Sequence, residues 1–407
     1  MKRIAIYFLA TLLVAACETN PSVPESKDLN LNLKSLELLA SDNLFGLELF
    51  QEVMQDVKDD ENVMISPLSV ALALGMTYNG SESTTREAME ATLKLQGLTE
   101  DEINDGYKSI IDQLLDLDPK VVMEIANSIW YKEGFKVEDE FIKTNKDHFY
   151  AEIRSLDFSS PDAVNIINQW VSDNTHGLIE EIIDAIPPAA VMYLINAIYF
   201  KGTWTYEFDP DETKLEPFFP EAGTSFETPA MHQETKLNYY QNSLFELVEL
   251  PYGDKKFSML VFLPSADNTC SDILAELDND NWNNWTNNLN ETKVYLQLPK
   301  FKFETFKLLN DPLSSMGMEI AFSDAADFTR INPAGNLFIS RVLHKTFIDV
   351  NEEGTEAAAV TAVEIELTSA GGSGLTHFIA DKPFLFVIRE ISTGSILFMG
   401  RLSQPEY

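Results

Sequence analysis

Residues 351–377 read NEEGTEAAAVTAVEIELTSAGGSGLTH, and this stretch decides the fold. From Thr355 onward it divides by parity. One set is Thr355, Ala357, Ala359, Thr361, Val363, Ile365 and Leu367; the other is Glu356, Ala358, Val360, Ala362, Glu364, Glu366 and Thr368. Every acid falls in the second set. A strand sends alternate side chains to opposite faces, so the stretch is written with one face for a core and one for water. At about 3.3 Å per residue it would extend roughly 45 Å, well beyond an ordinary strand. It begins in small alanines and runs out into Ala370-Gly371-Gly372-Ser373-Gly374, which is loop chemistry. Two readings fit: a permanent strand closed by a glycine turn, or a conditional strand that is exposed as a loop and joins a sheet later. Periodicity does not separate them, and taken alone it favours the permanent strand.

Upstream, Leu39 to Val57 carries apolar residues at helical spacing. Pro67 opens a second helix with Ser66 as its N-cap, and Ala163 to Ile183 reads as a third. Ala190 to Phe200 is nearly all apolar, as a buried central strand should be. Leu244–Leu250 and Phe257–Leu263 flank the turn Pro251-Tyr252-Gly253-Asp254 and predict a hairpin. Val294–Phe303 and Phe384–Ile388 are also strand-like. Helices come early, strands late, and no βαβ alternation appears, which is an α+β pattern in one continuous domain from about residue 38.

Several blocks resemble the serpin family. They are NVMISPLSVALALGMTYNG (62–80), Ile167 to Ile179 with Asn168, Trp170, Val171, Thr175 and Gly177, NAIYFKGTW (196–204), ISRVLHK (339–345), EEGTEAAA (352–359) and FIADKPFLFVIREISTGSILFMGR (378–401). They keep the family's order and cover nearly everything after about residue 38. On them the chain is identified as a member of that family, in its inhibitory form. The resemblance implies a single domain of three β-sheets and eight to nine helices with an exposed reactive-centre loop. It implies a suicide inhibitor: a peptidase cuts the loop and forms an acyl-enzyme, and the loop inserts into the main sheet before deacylation. Loop insertion in serpins is itself a standing example of strand addition and of released strain.

The resemblance also implies site residues. The hinge is Glu353, Gly354, Thr355, Glu356, Ala357, Ala358 and Ala359. These suit insertion physically, because a charge at residue 355 would be buried unpaired. Ser66, Ser69, Asn196 and His344 form a polar cluster, the shutter, under the opening sheet. Lys201 and Trp204 lie at the breach, where the loop first enters, although Trp204 also reads as plain core packing. Fourteen residues beyond Gly354 stands Thr368, so the reactive bond is Thr368–Ser369, with Leu367 as the alternative reactive residue.

No Lys or Arg occurs between Lys345 and Lys382, which argues against trypsin-like targets. Thr368 suits small-pocket, elastase-like or subtilisin-like serine peptidases. Leu367 before it suits papain-like cysteine peptidases. A non-inhibitory serpin acting as a binding module is the rival reading. No enzyme motif stands against either, since Gly371-Gly372-Ser373-Gly374 is followed by Leu375 and is no nucleophile elbow.

Lys2 and Arg3 precede an apolar run from Ile4 to Ala16, followed by Cys17. Val14-Ala15-Ala16-Cys17 resembles a bacterial lipoprotein signal, although Leu13 sits one place earlier than that pattern prefers. The expectation is a signal peptide over 1–16, a lipidated Cys17 with a flexible tether to residue 37, and the serpin domain over 38–407. An ordinary secretory signal is the simpler alternative. Either exports the chain, as an outer-membrane or cell-surface lipoprotein or a released extracellular form.

The formal net charge of −36 excludes nucleic-acid binding; it reads first as keeping an exported protein soluble, with attraction of cationic partners as the alternative. The segment Thr84–Asp118 is acidic, so no heparin response is expected. The two cysteines, Cys17 and Cys270, and the five histidines make no metal-ligand spacing, so no metal and no cofactor is expected. A monomer is expected.

Overall fold

Ser66 takes extended backbone and its side chain accepts the Ser69 N–H, with Pro67 at the first helical position. That cap starts a helix buried on nearly all sides, and the rest of the chain is laid around it. The computed structural model describes residues 26–355 and 375–407. In chain order the helices are α1 Leu33–Met54, α2 Pro67–Tyr78, α3 Ser83–Thr92, α4 Glu100–Leu114, α5 Asp139–Phe149, α6 Ala163–Asp173, α7 Cys270–Ala275, α8 Asn279–Asn287 and α9 Asn310–Leu313. The strands begin with β1 Val63–Ile65, β2 Val121–Lys132, β3 Glu152–Leu156, β4 Met192–Thr203 and β5 Lys214–Phe218. They continue with β6 Phe226–Gln241, β7 Phe245–Tyr252, β8 Phe257–Pro264, β9 Asn290–Pro299 and β10 Phe301–Leu308. The last are β11 Leu343–Val350, β12 Gly354–Thr355, β13 Thr376–Ile379, β14 Phe384–Glu390 and β15 Ile396–Leu402.

The first sheet has the order β10-β11-β12-β4-β2-β3. A second hydrogen-bonded path runs β1-β15-β14-β8-β7-β6-β9-β13, with β5 on β6. The long strand β6 divides it, because Ala230–Tyr239 pairs β9 and only Asn238–Gln241 pairs β7. Three sheets and nine helices result among the described residues, a mixed α+β fold of the serpin type. The α+β expectation holds. β8, β14 and β15 are buried along their whole length, which is why their sequences run apolar instead of alternating. The expected hairpin forms as β7 and β8, turning at Gly253, whose φ of +48° suits glycine.

Three sequence expectations are corrected. The helix from Ala163 stops at Asp173, because His176 and Gly177 take positive φ and turn the chain. The expected strand Val294–Phe303 is two strands, β9 and β10, split at Lys300, whose N–H donates to Pro229 O. The body also starts before residue 38. Asn32 caps α1 at Ser35, the Lys27 N–H donates to Leu117 O, and Asn30 bonds the Gln113 side chain. The polar composition that read as tether to residue 37 is, from Lys27 on, bonded to the end of α4 and the turn that follows it. Cys17 lies outside the described residues. Among the described residues no helix is long and apolar enough to cross a membrane.

Candidate functional site

The first sheet contains a seam. β4 pairs β2 over almost its full length, from Val121↔Gly202 to Tyr131↔Met192. β11 pairs β10 from Phe301↔Val350 to Leu308↔Leu343. Between β4 and β11 the only register among the described residues is the two-residue β12, with Gly354↔Thr203, Thr355↔Gly202 and Val350↔Thr355. Below Thr355, two strand edges face one another with no described partner. Unpaired edges are templates for another strand.

The two seated residues are fixed by close packing. A Cβ on Gly354 would lie 2.0 Å from Gly202 O, and a Cβ on Gly202 would lie 2.9 Å from the Tyr252 ring. Only glycine fits at either place. Thr355 is buried and shares a 2.6 Å hydrogen bond with the Tyr252 hydroxyl. Tyr252 stacks on Trp204 at 4.4 Å and 12°. The Trp204 indole N–H donates to Asn351 O at 2.9 Å, and its backbone N–H to Glu353 O. Trp204 therefore bonds directly to the segment leading into Gly354, in addition to packing in the core. Glu352 accepts from Lys300 at 2.9 Å and from Thr213 at 2.8 Å. The Lys300 ammonium lies 4.0 Å from the Tyr407 ring centre.

Lower down, the predicted polar residues come together through α2. The Ser66 N–H donates to His344 Nε2 at 2.9 Å, and Ser66 Oγ donates to Leu397 O. Ser69 Oγ donates to Asn196 Oδ1 at 2.5 Å. Asn196 Nδ2 donates to Asn127 Oδ1, and Asn127 Nδ2 to Phe149 O, both at 2.7 Å. His344 on β11 and Asn196 on β4 thus flank the seam, and each reaches down to the same helix. Because Nε2 accepts, His344 is neutral; burial pushes its pKa down from 6.5 to about 4.

Outside the sheet, residues 174–186 form a strap over the seam. Asn168 receives the Ile182 and Ile183 N–H groups and donates to Ile183 O. On the β11 side, Lys345 donates to Glu181 O and Arg341 to Ala185 O. Between strap and α2 lies a cavity of about 200 Å³, bordered by Met192, Leu194, Ile182 and Leu343. The space higher up, beside Ile198, Phe347 and Thr355, is only about 20 Å³.

Sequence reasoning missed several members of this site. Asn127 stands directly opposite Asn196 in the β2–β4 register, and its signal was an asparagine inside an apolar strand. Lys300 and Glu352 form the charged pair at the breach. Lys201, expected there, is half-buried and faces Val122 across the register. Its cation lies on the parity opposite Gly202, so the strand alternation turns it away from Tyr252 and Thr355. Tyr252 was read only as a turn residue. Glu356, Ala357, Ala358, Ala359, Leu367, Thr368 and Ser369 lie outside the described residues. Among the described residues no group of three or more His, Cys, Asp or Glu side chains could hold a metal ion.

Comparison with known proteins agrees with this geometry. The family described as "Serpin (serine protease inhibitor)" matches residues 40–405. Iripin-8 of Ixodes ricinus is 35% identical, over 90% of this chain and 93% of its own. The thermophilic serpin tengpin in its native state superposes with a TM-score of 0.83 at 33% identity, covering 94% of this chain and 96% of its own. Human thyroxine-binding globulin complexed with thyroxine gives a TM-score of 0.84 at 27% identity, covering 92% of this chain and all of its own. The chain belongs to the serpin family. Members of that family are mostly protease inhibitors that bind their target proteases, and not enzymes.

Proposed function

We propose that this serpin is a suicide inhibitor of peptidases and that residues 356–367 complete the seam between β4 and β11 after cleavage. The observation that carries this reading is the hinge pair Gly354–Thr355, seated between two strand edges that have no other partner among the described residues. Extending its register gives a consistent match. Thr355 opposes Gly202 and Val350, so Ala357 would meet Phe200 and Ile348, and Ala359 would meet Ile198 and Thr346. Thr361, a hydroxyl residue, would arrive between Asn196 and His344. Val363 and Ile365 would fall toward the cavity of about 200 Å³, while the alanines enter where the free space is about 20 Å³. Glu356, Glu364 and Glu366 would face outward. Small, polar and large residues each match their level, and a loop with no need to insert has no reason to show that order.

Thr368–Ser369 is the reactive bond under this proposal, with Leu367 as the alternative residue. The targets are elastase-like or subtilisin-like serine peptidases, or papain-like cysteine peptidases, and not trypsin-like ones. The protein is a monomer, exported and held at the outer membrane or cell surface by a lipid on Cys17. The fold shared with thyroxine-binding globulin supports the second reading, a non-inhibitory binding module. The test is to mix the chain lacking residues 1–17 with an elastase-like peptidase on a denaturing gel. The expected result is a covalent band of summed mass with a new fragment beginning at Ser369. Cleavage with neither a complex nor a rise in heat stability sinks the proposal and favours the binding module.

A further inference from the structure

We infer that Tyr252 is a positioning residue: its hydroxyl reads the hydroxyl of Thr355 and keeps the hinge seated in the sheet, before cleavage and after. The inference rests on the inhibitory reading for its consequence, but not for its geometry. The Tyr252 ring cannot move aside. It lies flat on Trp204, meets Phe200 edge-on at 5.2 Å and 71°, and Gly202 leaves it no slack. Its hydroxyl is therefore aimed at one point, at the upper end of the seam. There it meets Thr355 Oγ1 at 2.6 Å, with both residues buried. Among the described residues no other side-chain partner reaches it.

If Thr355 leaves the sheet, the phenol hydroxyl stays behind without a partner, and an unsatisfied buried hydroxyl is costly. If the loop inserts, Thr355 does not move, since it already occupies the first register of the strand to come. The bond therefore favours the seated and inserted states alike and opposes only expulsion. The hinge thus starts insertion from a formed nucleus. That matters because trapping is a race between insertion and hydrolysis of the acyl-enzyme. Valine at residue 355 would keep the shape and lose the bond, whereas serine would keep the bond.

The experiment uses wild type, Tyr252→Phe, Thr355→Val, Thr355→Ser and the Tyr252→Phe/Thr355→Val double variant, each with residues 18–407 present. Hydrogen exchange at the Gly354 and Thr355 amides reads the catch in uncut protein. Each single loss of hydroxyl should speed exchange about fivefold, the size of one net buried hydrogen bond. The double variant should be no faster than a single, and Thr355→Ser should match wild type. With a peptidase that wild type traps, the moles of inhibitor consumed per peptidase trapped should rise in the same order. Unchanged exchange in both single variants, or additive effects in the double, overturns the catch. Changed exchange with no trapping by wild type leaves the catch standing and overturns the inhibitory reading instead. Should Tyr252→Phe fail to fold, the Thr355→Val and Thr355→Ser pair decides the question.

Discussion

Two pairs of apolar strands in this molecule have opposite fates. β8 and β14 pair without a break from Leu385↔Phe262 to Glu390↔Phe257, and both are buried throughout. Among the described residues β4 and β11 are joined only through Gly354 and Thr355. The difference does not lie in strand-forming tendency, since both pairs are rich in β-branched and aromatic residues. It lies in what stands beneath. Under β8 and β14 each apolar side chain already has its neighbours. Under β4 and β11 the polar groups Asn196 and His344 take their partners from Ser69 and Ser66 of α2 and its cap, and no described residue pairs the two strand edges at that level. One sheet is finished across β8 and β14, and in the other no described strand lies between β4 and β11 below Thr355.

The sharpest way to break this comparison is Thr355→Arg. A guanidinium at this buried position would displace the Tyr252 bond and sit unpaired, costing several kcal/mol, on the order of a hundredfold or more in partition. Covalent complex on a denaturing gel should vanish while cleavage of the loop persists. A variant that still traps peptidase removes the seam from the mechanism.

The finished sheet supplies the contrast. Arg389 and Glu249 form a buried ion pair of 2.8 Å there. Arg389→Met should strand the Glu249 carboxylate and cost about 3–5 kcal/mol in urea unfolding. The same variant should leave inhibitor consumption per trapped peptidase unchanged. A shift in that ratio would mean the two sheets are not independent.

The smallest effect concerns pH. His344 is neutral in the native protein down to about 4, whereas unfolded histidine takes up its proton near 6.5. Between those values the unfolded state binds more protons, so stability falls as pH drops from 6.5 to about 4 and then levels off. The loss attributable to this group is about 3 kcal/mol at most. His344→Gln, which can still accept the Ser66 N–H, should flatten that part of the urea-midpoint profile relative to wild type. Identical slopes would remove His344 from the account.

Much of this was legible in advance, and the reason differs by residue. Ser66 before Pro67 announces the cap of α2, because capping is decided within three residues. The parity of residues 355–368 announces a two-faced strand, because side chains alternate whatever the partner. Gly354 and Thr355 are marked as a hinge by the resemblance of residues 352–359 to the family. Asn196 and His344 could be grouped through family resemblance, although nothing in their local sequence links them.

The rest depended on contacts between distant segments. Tyr252 and Thr355 stand 103 positions apart, Asn127 and Asn196 stand 69 apart, and Lys300 meets Glu352 through β10 and β11. Local periodicity fixes which face of a strand a residue occupies, but not which remote strand supplies the neighbour. That limit explains why Lys201, next to Gly202 on β4, could be named in advance while Lys300, which meets Glu352 from a remote strand, could not. By itself the sequence determined the α+β class, the two-faced segment and the Ser66 cap that starts α2. Only the tertiary structure decided that β4 and β11 stand apart, that Tyr252 closes on Thr355 and that α2 bridges the seam, because each depends on packing between elements that the chain order keeps separate.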